Sequence, residues 1–439
     1  MTAPGITTSP RRRGGSRPRE RAARFVLLAS VMLLGACAQP AAPVETALRA
    51  AEDGTPPPAP LPTRAPEPSG APLVDARSVT GQGGQGDDEQ AGQEQGAADE
   101  KEEEKEEDKE DEEKDEKKKK DDDMADMTAP TPVPDWVTPP APDDSLCPRP
   151  TVRVRTADQL ERALEAAGPG TSIWMEPGVY QGSFVATTSG TADAPAALCG
   201  NADAILNGNG PKGDYVLHLD GAQHWVLAGF TVRNGQKGVM ADGTTGSTIS
   251  GLTVYGTGDE AIHLRRHSTG NVVAHNTISD TGLRKEKFGE GVYIGSANSN
   301  WEDLTEGEPD RSDDNQVIGN VIYATTSEAV DVKEGTTGGV VSGNQFDGSR
   351  ITGADSWVDI KGNDWSITDN IGRHTPLDGF QTHDVSDGWG TRNTFSGNSG
   401  LLDGEEGFLV ALRPVNENRA LCDNRLLGGI GALTNKPCR

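Results

Sequence analysis

Long apolar runs are scarce in this 439-residue sequence. The one that approaches membrane length, Phe25 to Gly35, is too short to cross a bilayer. Positive charge is also in short supply, with 41 Lys and Arg against 68 Asp and Glu, a net charge of -27. A negative surface repels a phosphate backbone, so nucleic acid is excluded as a partner in the absence of a local basic groove. Cysteine occurs five times, with no CxxC and no His/Cys spacing that would build a zinc site. Hydrophobic residues make up 33% and aromatics 5%, but these averages mix two unlike stretches. Residues 147–439 are acidic by 14 charges over 293 residues, long enough for one large domain with its own core.

Seven arginines between Arg11 and Arg24 precede the apolar run Phe25 to Gly35, the layout of a secretory signal. The run ends in Leu34-Gly35-Ala36-Cys37, which resembles the lipobox of bacterial lipoproteins. That resemblance implies that Cys37 is lipidated and that the protein is extracytoplasmic, anchored to the bacterial cell membrane. Setting Cys37 aside leaves an even set of four, Cys147, Cys199, Cys422 and Cys438, as an oxidising compartment allows. Three connectivities are open. Pairing Cys147 with Cys199 and Cys422 with Cys438 closes the shortest loops.

From Ala38 to residue 146 the chain is rich in Pro, Ala, Gly, Gln and Glu, and it includes 25 consecutive charged residues from Asp99 to Asp123. Such a stretch buries too little apolar surface to offset its chain entropy, so it reads as a disordered spacer. The organisation is therefore a signal with lipobox over 1–37, a spacer over 38–146, and a folded domain over 147–439. We read the domain as a monomer.

That domain opens with a helix signature. Thr156-Ala-Asp-Gln159 fits a capping box, and Leu160, Ala163, Leu164 and Ala167 share one face before Gly168-Pro169-Gly170. A strand and turn follow, over Thr171 to Tyr180. The pairing resembles the entry to pectin-lyase-like right-handed β-helices, where a short helix plugs the open end of the coil. A repeat with a period in the twenties then runs through Leu227–Val232, Ile249–Val254, Val273–Ile278, Val317–Ile322, Val341–Phe346 and Ile367–Gly372. Its recurring Gly-Asn or Asp-Asn suits tight turns. Short strands, glycine-rich turns and a fixed period predict an all-β solenoid, a right-handed parallel β-helix of roughly nine to ten coils. A leucine-rich repeat would need a leucine ladder, which is absent.

Each coil carries a second strand, and these align without gaps: Ala261–Arg265, Gly291–Gly295, Ala329–Lys333, Trp357–Lys361 and Gly379–His383. Alternation sends Ile262, Leu264, Val292, Ile294, Val330, Val332, Val358, Ile360 and Phe380 inward. The outward strip reads His263 and Arg265, Tyr293, Asp331 and Lys333, Asp359 and Lys361, Gln381 and His383. Such a strip is either a functional groove or a solvated face of cross-strand charge ladders. The insert between Ala297 and Asn315 leaves the coil just after Tyr293 and is placed to wall the strip. It offers Trp301 for stacking on a sugar and acidic residues for calcium.

At this strip the sequence resembles polysaccharide lyases of the chondroitinase B and alginate lyase family, which are themselves β-helices. Glu328-Ala-Val-Asp-Val-Lys333 matches that family's calcium-binding Glu and catalytic Lys five positions later. Lys361 stands where the family has Arg, and the second calcium-binding Glu aligns with Thr326 and is missing. The resemblance implies cleavage of a uronate polymer by β-elimination, with Lys333 as base and calcium bound through Glu328. The strip supplies the remaining roles on chemical grounds: Lys361 or Arg265 to neutralise the uronate carboxylate, and Tyr293 or His383 to protonate the leaving oxygen. His263, Asp331, Asp359, Gln381 and Trp301 are expected to bind the polysaccharide. Lys361 lowers the pKa of Lys333 only if Asp331 and Asp359 do not cancel its charge. Two alternatives remain: a glycoside hydrolase using Asp331 and Asp359, and a non-catalytic glycan-binding or adhesin module.

The export reading carries its own test. Cys37→Ser should move the protein from the membrane fraction to the soluble one, and acyl chains should be detectable on the wild type by mass spectrometry. Unchanged membrane association without acylation would refute it.

Overall fold

The structure, a computed structural model, describes residues 129–141 and 143–439. The export signal, Cys37 and the charged block ending at Asp123 lie outside the described residues. No helix among the described residues is long and apolar enough to cross a membrane.

Three parallel sheets of 11, 10 and 10 strands wind around one axis, and successive strands of each sheet come from successive coils. This is the expected parallel β-helix, with about ten coils. The capping helix spans Ala157–Glu165. The Gln159 N–H donates to Thr156 Oγ1 at 3.3 Å, and the Arg155 N–H donates back to Gln159 Oε1 at 2.8 Å. Leu160, Ala163, Leu164 and Ala167 are buried against the first coils. Both disulfides pair as the shorter loops suggested, Cys147 with Cys199 and Cys422 with Cys438. They close chain near the two ends of the solenoid, where an outer neighbour is missing.

The apolar alternation read from the sequence is obeyed throughout. Ile262, Leu264, Val292, Ile294, Val330, Val332, Val358, Ile360 and Phe380 are all fully buried in one continuous core. The asparagine turn signal has a second role that composition did not disclose. Asn276, Asn320, Asn344, Asn370, Asn398 and Asn424 stack as a buried ladder, in which each Nδ2 donates to the Oδ1 of the next at 2.9 to 3.0 Å. Each Oδ1 also accepts a backbone N–H from the preceding ladder position, and each Nδ2 reaches a carbonyl of the coil before it, as Asn344 does to Val317 at 2.9 Å. The turn backbone is thereby satisfied without water.

The spacer, expected to run to residue 146, gives way to ordered contacts sooner. Val133, Trp136 and Val137 pack on Val321, Tyr323 and Ala324 of the second 10-stranded sheet. Tyr323 Oη donates to Thr131 O at 2.8 Å, the Thr131 N–H donates to Asp280, and Trp136 Nε1 donates to Asp347. Arg373 covers the Trp136 ring at 4.9 Å. A tryptophan and two valines inside an otherwise polar spacer can bury apolar surface, which is why this part joins the domain.

The ladder predicts a large local cost for a single deletion. Asn344→Ala strands the Asn320 amides and the Val317 carbonyl, and each unsatisfied buried group costs about 1–3 kcal/mol. Urea unfolding should show a loss of several kcal/mol, whereas the exposed Asn209→Ala should stay within about 0.5 kcal/mol. Equal effects would remove the ladder from any stabilising role.

Candidate active site

The outward strip lies on the 10-stranded sheet that contains β1 (Leu217–Asp220), β2 (Val239–Asp242), β3 (Ile262–Arg265), β4 (Val292–Ile294), β5 (Val330–Val332), β6 (Ser356–Ile360) and β7 (Asp378–Thr382). Register carries one outward column through His218, Met240, His263, Tyr293, Asp331, Asp359 and Gln381. The gap-free alignment made from sequence therefore matches the pairing. These side chains point away from the core, yet His263, Asp331, Asp359, Lys361 and Gln381 are all buried. The alternative of a solvated charge ladder is thus removed.

What covers the strip is a pair of loop walls around a groove of about 530 Å³. One wall is the loop before β4, with Arg284, Lys285, Lys287 and Phe288. The other is the insert, which contributes Ser299, Asn300 and Leu304, with Ser296 and Ala297 leading into it, as its position in the sequence suggested. Of the expected site residues, His263, Arg265, Tyr293, Glu328, Asp331, Lys333 and Lys361 line this groove. His383, Asp359, Gln381 and Trp301 do not.

Each displaced residue has a partner that explains it. The Trp301 Nε1 donates to Ser296 O at 3.1 Å, and its ring lies close over Gly335, so it packs within the insert and does not line the groove. Gln381 is held between Asp355 and Arg413. The His383 Nδ1–H donates to Asp359 at 2.9 Å. In the insert, buried Asp310 accepts the Arg266 and His267 N–H groups at 2.9 and 2.8 Å, a structural use of the carboxylate expected for calcium.

On the groove floor Asp331 lies between two lysines, 3.3 Å from Lys333 Nζ and 2.8 Å from Lys361 Nζ. Lys361 also reaches Asp359 at 2.9 Å. Burial alone would lower the Lys361 pKa, but Asp331 and Asp359 outweigh it and hold the ammonium firmly charged. Two expectations change as a result. The charge of Lys361 is matched by two carboxylates, so it does not act as a bare cation beside Lys333. Asp331 and Asp359 are bridged by that ammonium, so they are not the free acid and base that a hydrolase needs. Arg265 is likewise matched, by Asp242 at 2.8 Å.

Tyr293 stands next to Lys333, whose Nζ is 5.3 Å from the phenol ring centre. Its ring meets His263 edge-on at 4.4 Å, and the His263 Nε2–H donates to Gly295 O at 3.0 Å. Burial, together with the charge of Asp331, pushes the Tyr293 hydroxyl well above the usual phenol range. It therefore keeps its proton. Burial also lowers His263, which stays neutral.

Sequence reasoning overlooked Glu260 and Glu290. Both immediately precede the aligned strands, in the position Glu328 occupies before β5, so extending the alignment by one residue would have exposed a column of three glutamates. The backbone confirms the stacking: the Ala261 N–H donates to Glu290 O at 3.0 Å and the Gly291 N–H to Glu328 O at 3.1 Å. Glu260 is ion-paired with Lys237. Burial, followed by the charge of Glu260, raises Glu290 well above its ordinary range. Burial and Asp331 raise Glu328 to about 7. Oxygens of Glu290, Glu328 and Asp331 lie within 4.8 Å of one another, and Glu290 Oε2 is buried without a hydrogen-bond partner. This is an acidic site whose hard oxygen donors suit a divalent cation. Thr326, aligned with the missing family Glu, instead donates to Glu286 O at 2.9 Å.

Comparison with solved structures finds an alginate lyase from Paenibacillus sp. str. FPU-7, 32% identical, with a TM-score of 0.60, covering 65% of this chain and 100% of that one. The pectate lyase Pel9A is 12% identical with a TM-score of 0.49, covering 67% of this chain and 80% of that one. No family model and no curated protein matches the chain.

The pair at the end of the strip yields a pH prediction. Asp359 raises the pKa of His383 above that of free histidine, with burial opposing. A group raised on folding contributes stability that is full below its unfolded pKa of about 6.5 and is lost as pH climbs through the folded value. The stability advantage of wild type over His383→Asn should therefore be full below about pH 6 and shrink as pH rises above about 6.5 in urea unfolding. A difference that does not vary with pH would show that the pair is not charged.

Proposed function

We propose that this chain, which belongs to the family of the Paenibacillus alginate lyase, cleaves alginate-type polyuronates by β-elimination. The observation that carries the reading is the pairing of Lys333 with Tyr293 in a cationic groove on an acidic protein. The lining holds seven Lys and Arg against five Asp and Glu, and two of those five, Glu290 and Glu328, are shifted toward the neutral acid. An anionic polymer is attracted there and repelled elsewhere.

The chemistry follows from which group can hold a proton. Lys333, as the free amine, takes the proton from C5 of the uronate. The electron pair left behind forms the C4–C5 double bond, and the C4–O bond breaks. Tyr293 retains its proton to high pH and delivers it to the leaving oxygen. Its hydroxyl is the better donor of the two considered, because His383 is engaged by Asp359 outside the groove. Asp331, 3.3 Å from Lys333 Nζ, positions that side chain, and Lys361 in turn holds Asp331.

Calcium fits the acidic site in donor type, with Glu290, Glu328 and Asp331 to hold it. When bound it supplies positive charge that acidifies C5 by neutralising the neighbouring carboxylate. The export signal and Cys37 support a lipid-anchored, extracytoplasmic location, where such polymers are met.

Purified protein should release products carrying the C4–C5 double bond from alginate, followed by ultraviolet absorbance. Lys333→Ala should lower kcat by roughly 10³-fold and Tyr293→Phe by roughly 10²-fold, with the melting temperature nearly unchanged. Assays after chelation and after calcium is restored test the acidic site, and Glu328→Gln should abolish any calcium response. Full activity in Lys333→Ala, or products without the double bond, would sink the elimination mechanism.

A further inference from the structure

We propose that the loop Leu283–Phe288 is a second substrate-binding element. In it Phe288 takes the apolar face of one sugar ring while Lys285 and Lys287 take that sugar's carboxylate. The inference rests on the lyase reading and adds to it the residues that grip the polymer away from the reacting bond.

Phe288 is 38% exposed, whereas the other large aromatics of the domain are mostly buried in the coil. A single exposed apolar residue is ordinary on a surface. This one lines the same groove as Lys333 and Tyr293. Lys285 Nζ lies over the ring at 5.0 Å from its centre and the Arg284 guanidinium at 6.0 Å, so the aromatic already carries positive charge beside it, and a sugar ring stacks on the part of the ring they leave open. A uronate presents both features that such a surface recognises, a C–H face on the ring and a carboxylate at its edge. Trp301, the aromatic expected for this task from sequence, is engaged inside the insert.

The loop is also held in place ahead of binding, which lowers the ordering cost that a free loop would incur. The Leu283 and Arg284 N–H groups donate to Thr257 O and Gly258 O at 3.1 and 2.8 Å. Arg284 forks onto Asp259 with two bonds of 2.9 Å. Thr326 ties the tip from below through Glu286 O, and a Cβ at Gly353 would lie 2.4 Å from that same oxygen. Gly353 is thus required for the loop to pack this close. Arg284 serves the scaffold, and Lys287 and Phe288 face outward.

The test compares wild type, Phe288→Ala, Phe288→Tyr and the double variant Lys285→Ala/Lys287→Ala on polymeric alginate. Phe288→Ala and the double variant should each raise KM about tenfold, the loss appearing in KM and not in kcat, as expected for uniform binding. Phe288→Tyr should restore the wild-type KM. Rising salt should raise KM steeply for wild type and less steeply for the double variant. Isothermal titration of alginate into Lys333→Ala, with and without Phe288→Ala, reads the same affinity loss without turnover. If wild type cleaves alginate and the loop variants keep its KM, the platform is refuted and the lyase reading stands. If wild type neither cleaves nor binds a polyuronate, the lyase reading falls first and takes the platform with it. Melting temperatures identify any variant that fails to fold; the double variant, altered on the surface, then decides alone.

Discussion

The site depends on coil-to-coil register, and register depends on the buried asparagine ladder from Asn276 to Asn424. In a solenoid a strand can slip along its neighbour at little apolar cost, because many inward positions are Val, Ile or Leu. An amide at each turn that must accept one backbone N–H and donate to one carbonyl leaves a single alignment with every group satisfied. Strands then stack at about 4.8 Å, and whatever is outward in one coil lies directly over its counterpart in the next. Tyr293, Asp331 and Asp359 become neighbours although 66 residues separate the first from the last.

That proximity is costly unless charges are matched, because the strip's charged side chains are buried. Most pairs are built across coils: Lys237 with Glu260, Arg265 with Asp242, Arg284 with Asp259 and Lys361 with Asp331, while Asp359 meets Lys361 within one coil. At Glu290 and Glu328, burial and the neighbouring carboxylates shift the carboxyls toward the protonated form. The groove floor therefore has firmly charged groups that set geometry and, beside them, groups whose proton is in play. Lys333 and Tyr293 sit at the boundary between the two, where proton transfer to and from a sugar is chemically reasonable.

The walls supply what the coils cannot. Regular strands offer one outward side chain in two, which is enough for a row of reacting groups but not for enclosing a polymer. The loop before β4 and the insert after it both interrupt the repeat at the same coil, the one that carries Tyr293. The ordered segment at 131–138 lies on a different sheet and leaves the groove open.

The amino-acid sequence by itself determined the coil. The period, the inward alternation from Ile262 to Phe380, the capping helix at Thr156 and the two short cysteine loops were all legible, because each is a local pattern repeated or bounded within a few dozen residues. It also named the outward column, including Lys333 and Tyr293. Only the tertiary structure decided what those residues are worth. Whether Lys361 is a free cation depends on Asp331, 30 positions earlier, and whether Trp301 meets sugar depends on Gly335, because pairing, burial and proton affinity are set by neighbours across coils and not by spacing along the chain. The Glu260, Glu290 and Glu328 column was present in the sequence one residue before the aligned strands. Its meaning appeared only when stacking brought the like charges together in a buried place.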